Sequence, residues 1–171
     1  RASIAEELRT LCERSGAGLH MEELDIMIGG SEHNLLDTEK QAQLIARIED
    51  GEFDLVILSP PCGSWSRANW RGGTGPKPCR SREFPWGFPN SLAPMRKRAE
   101  KGNEFIHFSI RALEAAHVAR AKRGVCTRTL LEHPEDLGRS YGSDPASIWQ
   151  LREIRKFGEA PYGLDTCVGH Q

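Results

Sequence analysis

The sequence predicts a doubly wound, mostly parallel α/β sheet with helices on both faces. Three observations predict it. Helix-like and strand-like segments alternate from residue 2 to Leu58, the pattern of parallel-sheet folds. The run Leu55-Val-Ile-Leu58 is short, unbroken and apolar, which suits a strand buried on both faces. A later run, Val125 to Leu131, follows a long helical segment, and connections between such strands should be right-handed.

The chain has 171 residues, enough for one domain with a real core. No internal repeat or linker divides it, so residues 1–171 are expected to form a single domain. Hydrophobic residues make up 38% and charged residues 27%, ordinary values for a globular protein. The formal net charge is −1, so any nucleic-acid-binding surface must be local. No apolar stretch is long enough to span a membrane and no signal peptide opens the chain. The five cysteines are odd in number and lack a Cys-x-x-Cys pair. That argues against a disulfide framework or a zinc ribbon and for a reducing, intracellular compartment, with no metal site expected. The sequence opens at Arg1 already helical in pattern, so it reads as part of a longer domain trimmed at both ends.

In order, residues 2–14 read as an amphipathic helix with Ile4, Leu8 and Leu11 on one side, stopped by Ser15-Gly-Ala-Gly18. Leu19 to Ile26 reads as a strand with acidic residues near its end, and Gly29-Gly-Ser31 as a turn. Asp37 is placed to cap a helix over Thr38–Glu49, whose apolar positions are Ala42, Ile45 and Ile48. The Leu55–Leu58 strand follows, and two prolines stop it because neither can donate a ladder hydrogen bond.

Residues 63–94 form a long loop rich in Gly and Pro, with Trp65, Trp70 and Trp86 interleaved among Arg67, Arg71, Lys77, Arg80 and Arg82. Two readings are open. Arginines among aromatics can meet phosphates and stack on bases. Alternatively the loop folds back and buries its own tryptophans. Met95 to Arg123 is a long helix whose last turn, Arg120 to Arg123, is a solvated basic end suited to the helix dipole, and Gly124 closes it. After the Val125–Leu131 strand come a polar region, a helix over Ser147–Phe157 with Ile148, Leu151 and Ile154 inward, and a further strand beginning at Leu164.

Two strand ends carry chemistry: Pro60-Pro61-Cys62 and Glu132-His133-Pro134. In a parallel sheet both lie on the carboxyl edge, where open α/β sheets bind ligands. A thiolate beside a carboxylic acid suits covalent catalysis on an electron-poor ring. Burial in a strand-end pocket would favour the protonated acid. The plainer alternatives are a buried structural thiol at Cys62 and a loop carboxylate at Glu132. His133 as a base for Cys62 would instead make a Cys-His hydrolase.

Ser59-Pro-Pro-Cys62 after an apolar strand resembles the Pro-Cys motif of the cytosine-C5 methyltransferases, and Leu131-Glu-His-Pro134 is similar to their Glu-Asn-Val motif. Gly63 and His133 stand where that family commonly has Gln and Asn. The resemblance implies a Rossmann-like methyltransferase sheet and an S-adenosylmethionine-dependent enzyme that methylates cytosine C5 in nucleic acid, DNA rather than RNA. Cys62 would attack C6 and Glu132 would engage N3. The target base would be flipped out of its duplex or taken from a single strand. Met21-Glu-Glu-Leu-Asp25 is similar to the strand end that holds the cofactor ribose, so Glu23 would take that role, with Glu22 and Asp25 as alternatives. Asn34 and Leu35 would face the adenine, Pro60 would complete the cofactor site, and Ser64, Trp65, Ser66 and Arg67 would form the loop over the substrate. The family's glycine-rich cofactor loop and Arg-x-Arg strand lie outside these residues, so methyl transfer by this chain alone is not expected. Two other functions stand beside this one: a catalytically inactive relative that binds nucleic acid or a protein partner, and the hydrolase. A nuclear location would follow in a eukaryote.

Overall fold

The computed structural model describes residues 4–124, 127–139 and 142–165. Helix accounts for 49% of them and strand for 6%. Among the described residues the sheet has two strands, so the doubly wound sheet is not formed. The chain divides into two compact units, Arg1–Leu35 and Leu36–Gln171.

The first unit holds α1 (Ile4–Ser15), α2 (Ile26–Gly29) and a 3-10 turn over Gly30–His33. Gly16, at φ 69°, ends α1 as its sequence foretold. The apolar stripe expected to face a core does not: Ile4 and Leu11 are 56% and 57% exposed. Leu19 to Asp25 forms no strand. Instead the Asp25 carboxylate accepts from the Met27 amide at 2.7 Å and caps α2, an instance of an Asx side chain drawing the backbone into a local turn.

The second unit begins with α3 (Thr38–Glu49). The Asp37 carboxylate accepts from the amides of Glu39 and Lys40 at 2.9 and 3.2 Å, the expected cap. The buried face of α3 is Gln41, Leu44 and Ile48, because Gln41 turns inward to accept from Arg111; Ala42 lies outside. Next come β1 (Leu55–Leu58), the long loop, α4 (Ala93–Arg123) and β2 (Arg128–Leu131). The helix α4 runs 31 residues, with Pro94 in its first turn, an exposed basic end and Gly124 in the left-handed conformation at φ 67° as its stop. It packs on α3 and on β2 through a face crowded with alanines.

The strands β1 and β2 pair in parallel, Leu55 opposite Arg128 through Leu58 opposite Leu131. The ladder continues past both ends: Arg128 N–H donates to the Asp54 carbonyl and Glu132 N–H to the Leu58 carbonyl, each at 2.8 Å. The prediction of burial on both faces fails. Leu55 and Leu130, on one face, are 42% and 48% exposed, whereas Leu58 on the other is buried. A two-stranded sheet offers helix α4 one side to cover, and the other stays open.

The segment Ser147–Phe157 is not one helix. It consists of a 3-10 turn (Ile148–Gln150), the single turn α5 (Arg152–Arg155) and a second 3-10 turn (Lys156–Gly158). The break falls at Leu151, whose backbone is extended. Its inward positions nevertheless hold, since Ile148, Leu151, Ile154 and Phe157 are all buried. Leu164 N–H donates to the Phe157 carbonyl at 2.8 Å; residues 166–171, most of the expected last strand, lie outside the described residues, as do Val125 and Cys126.

Candidate active site at the strand ends

The parallel register decides which residues meet. One residue beyond each strand, Ser59 and Glu132 stand side by side, and the Ser59 hydroxyl donates to Glu132 Oε2 at 2.8 Å. Pro60 is buried, and Cys62 is half-buried. The Trp65 amide donates to the Cys62 carbonyl at 2.8 Å, closing a tight turn over residues 62–65. Both chemical strand ends therefore lie on one edge of the sheet. Glu132 is exposed there rather than enclosed in a strand-end pocket.

The loop after Cys62 folds back on α4. Trp65 is 4% exposed and Arg80 2% exposed, and the Arg80 guanidinium lies over the Trp65 ring at 3.8 Å. Arg80 has no carboxylate partner. It donates to the Pro85 carbonyl at 2.7 Å, Asn103 Oδ1 at 2.8 Å, the Ala99 carbonyl at 2.9 Å and Ser64 Oγ at 3.0 Å. Burial, with Arg98 adding to it and Cys79 opposing, lowers its pKa to about 10, so it stays a cation at neutral pH. Trp86 meets Trp65 edge-on at 6.0 Å and stacks on His107 at 4.7 Å. Of the two readings of this loop, packing of its own tryptophans holds for Trp65. Ser64 is buried under Arg80, Ser66 caps the 3-10 turn Arg67–Trp70, and Arg67 reaches toward the Leu137 carbonyl at 3.4 Å.

His133 is 8% exposed, edge-on to Trp65 at 6.3 Å, and neither ring nitrogen meets a partner in hydrogen-bonding geometry. Its pKa falls to about 4, through burial first and then the Arg80 charge, against the opposing Glu132 carboxylate and the Pro134 backbone. It makes no hydrogen bond to Cys62. Trp65, Arg67, His133, Asp136 and Ser147 border a cavity of about 30 Å³, room for a water. Neither Cys62 nor Glu132 lines it.

The residues that the resemblance assigns to S-adenosylmethionine stand outside the strands. Glu23 lies on an exposed irregular stretch, not at a strand end, and Asn34 and Leu35 follow the 3-10 turn. Glu23 therefore ends no strand of a doubly wound sheet.

Sequence reasoning missed Arg80, Asn103 and Gly102. A glycine inside a helical run was the available signal, since it marks a close approach. A Cβ on Gly102 would stand 2.2 Å from Ser64 Oγ and 3.1 Å from the Arg80 guanidinium. Arg82, one of the loop arginines, pairs with Asp136 and tethers the loop to the segment after β2. No protein-family model, curated protein or solved structure matches the chain.

Proposed function

We propose that the strand-end edge of Ser59, Cys62 and Glu132 carries out covalent chemistry on cytosine in nucleic acid, DNA rather than RNA. The observation that carries the reading is the in-register pairing of β1 with β2, which sets the Pro-Pro-Cys turn and Glu132 on one edge, joined by the Ser59 hydrogen bond. In this reaction the Cys62 thiolate forms a bond to C6. The C5–C6 π electrons move toward N3, which takes a proton from Glu132, and C5 becomes nucleophilic. C5 takes a proton from water, the hydroxide so formed removes the original C5 hydrogen, and N3 returns its proton to Glu132 as the C6–S bond breaks and the thiolate leaves. The base returns with its C5 hydrogen exchanged. The resemblance supplies S-adenosylmethionine as methyl donor; Glu23, Asn34 and Leu35, the residues it implies for that cofactor, stand on no strand.

A second reading, a non-catalytic relative that binds nucleic acid or protein, is favoured by the two-stranded sheet of the described residues and by the lack of a strand ending at Glu23. One measurement separates the two. Cytosine-containing single-stranded DNA and RNA oligonucleotides are incubated with the protein in deuterated buffer, and C5 exchange is followed by mass spectrometry. Exchange well above buffer that disappears in Cys62→Ser is expected, with DNA exchanging faster. Equal rates for the wild type and Cys62→Ser would sink the catalytic reading.

A further inference from the structure

The buried arginine of the loop is the strongest feature that the proposed chemistry leaves unused. Its surroundings rule out a substrate-binding role: at 2% exposure it has no face for a phosphate. Both terminal nitrogens are committed, each to two acceptors, and all four acceptors are neutral. A buried cation held by neutral acceptors and an aromatic face is costly to assemble. Sequence distance shows what is gained. Its contacts span the turn after Cys62 (Ser64, Trp65), the middle of the loop (Pro85) and the first half of α4 (Ala99, Asn103). Asn103 extends the junction by donating to the Trp86 carbonyl at 2.8 Å. The helix offers a glycine, Gly102, where the Ser64 hydroxyl comes close. Trp65, held under the guanidinium, is the same residue whose amide closes the Cys62 turn and whose ring meets His133, the neighbour of Glu132.

We propose that Arg80 is a positioning residue: through Ser64 and Trp65 it fixes the turn that carries Cys62 at the sheet edge. The role in catalysis rests on the cytosine reading above; the fixing of Cys62 does not. A fixed geometry is what an attacking thiolate needs, since displacement by about 1 Å can cost on the order of a hundredfold in rate. Lysine cannot replace arginine here, because an ammonium has neither the planar stacking face nor the fork that serves four acceptors.

The test uses Arg80→Lys and, should that variant not fold, Ser64→Ala, which removes one hydrogen bond and little packing. Two readouts are taken on each. The first is the pH profile of Cys62 alkylation by a small neutral haloacetamide, with the modified peptide quantified by mass spectrometry so that the other cysteines do not interfere. The second is cytosine C5 exchange. In Arg80→Lys the alkylation profile is expected to shift and its rate to change several-fold, while exchange falls about tenfold or more. Ser64→Ala should move both in the same direction by less. Wild-type alkylation profiles in the variant that folds would overturn the proposal, even if its melting temperature fell. Absent exchange in the wild type, with altered Cys62 alkylation in the variants, would overturn the cytosine chemistry and leave the positioning role supported.

Discussion

His133 joins two facts that pull against each other: a polar ring, and a buried place with no partner for either nitrogen. Its folded pKa of about 4 lies below the ordinary 6.5, so the neutral form is the one the fold accommodates. Stability from this group is present in full above pH 6.5 and is lost as pH falls toward 4, by roughly 3 kcal/mol at most. His133→Phe keeps a ring edge-on to Trp65 and removes the orphaned nitrogens, so stability at pH 7 should stay within about 1 kcal/mol of the wild type. Urea unfolding at pH 7 and pH 4.5 should then show a smaller acid loss in the variant; equal acid loss in both proteins would contradict the assignment. At this scale the sequence revealed residue types well and environments poorly. Cys62 and Glu132 stood out because prolines and strand ends marked them. Arg80 looked like any loop arginine, since burial against Trp65 depends on a helix that begins thirteen positions later, at Ala93.

Helix α4 is the element on which the second unit is built, and Gly102 is its one mid-helix irregularity of composition that the packing explains. Alanine there gains about 1 kcal/mol of helix propensity. That gain is outweighed by the approach of its Cβ to 2.2 Å from Ser64 Oγ, a group held by Arg80. Gly102→Ala is expected to destabilise by about 1–3 kcal/mol in denaturant unfolding. In a Ser64→Ala background the nearest Ser64 atom is its Cβ at 3.3 Å, and the cost should shrink clearly. Additive costs would show that the close approach does not limit packing. Helices announced themselves through caps: Asp37, Gly16 and Gly124 act as their sequence context implied. Strands were less legible. Alternation of short apolar and acidic residues at Leu19–Ile26 mimicked a strand, but Asp25 found a local amide to cap.

The whole chain differs most from expectation. A doubly wound sheet needs several strands, and a short apolar run such as Leu55–Leu58 is consistent with one without implying neighbours on each side. Among the described residues the sheet has two strands, with α4 packed on β2 and α3 packed on α4. Of the residues buried in the described chain, Ala5 alone belongs to the first unit. A chain beginning at Leu36 retains the Asp37 cap and every other buried residue. It should unfold in one cooperative transition with a midpoint unchanged within error, followed by circular dichroism in urea. A broad, non-cooperative transition would show that the first unit is needed to fold the second. The pairing of Ser59 with Glu132 across 73 positions also has a consequence in time. At about 5–20 residues per second, translation delivers Glu132 several seconds after the turn that carries Cys62. For most of those seconds α4 is incomplete and β2 does not yet exist, so the strand that pairs with β1 is missing. A nascent chain thus carries the Cys62 thiol for that time before the sheet edge that holds its turn can form.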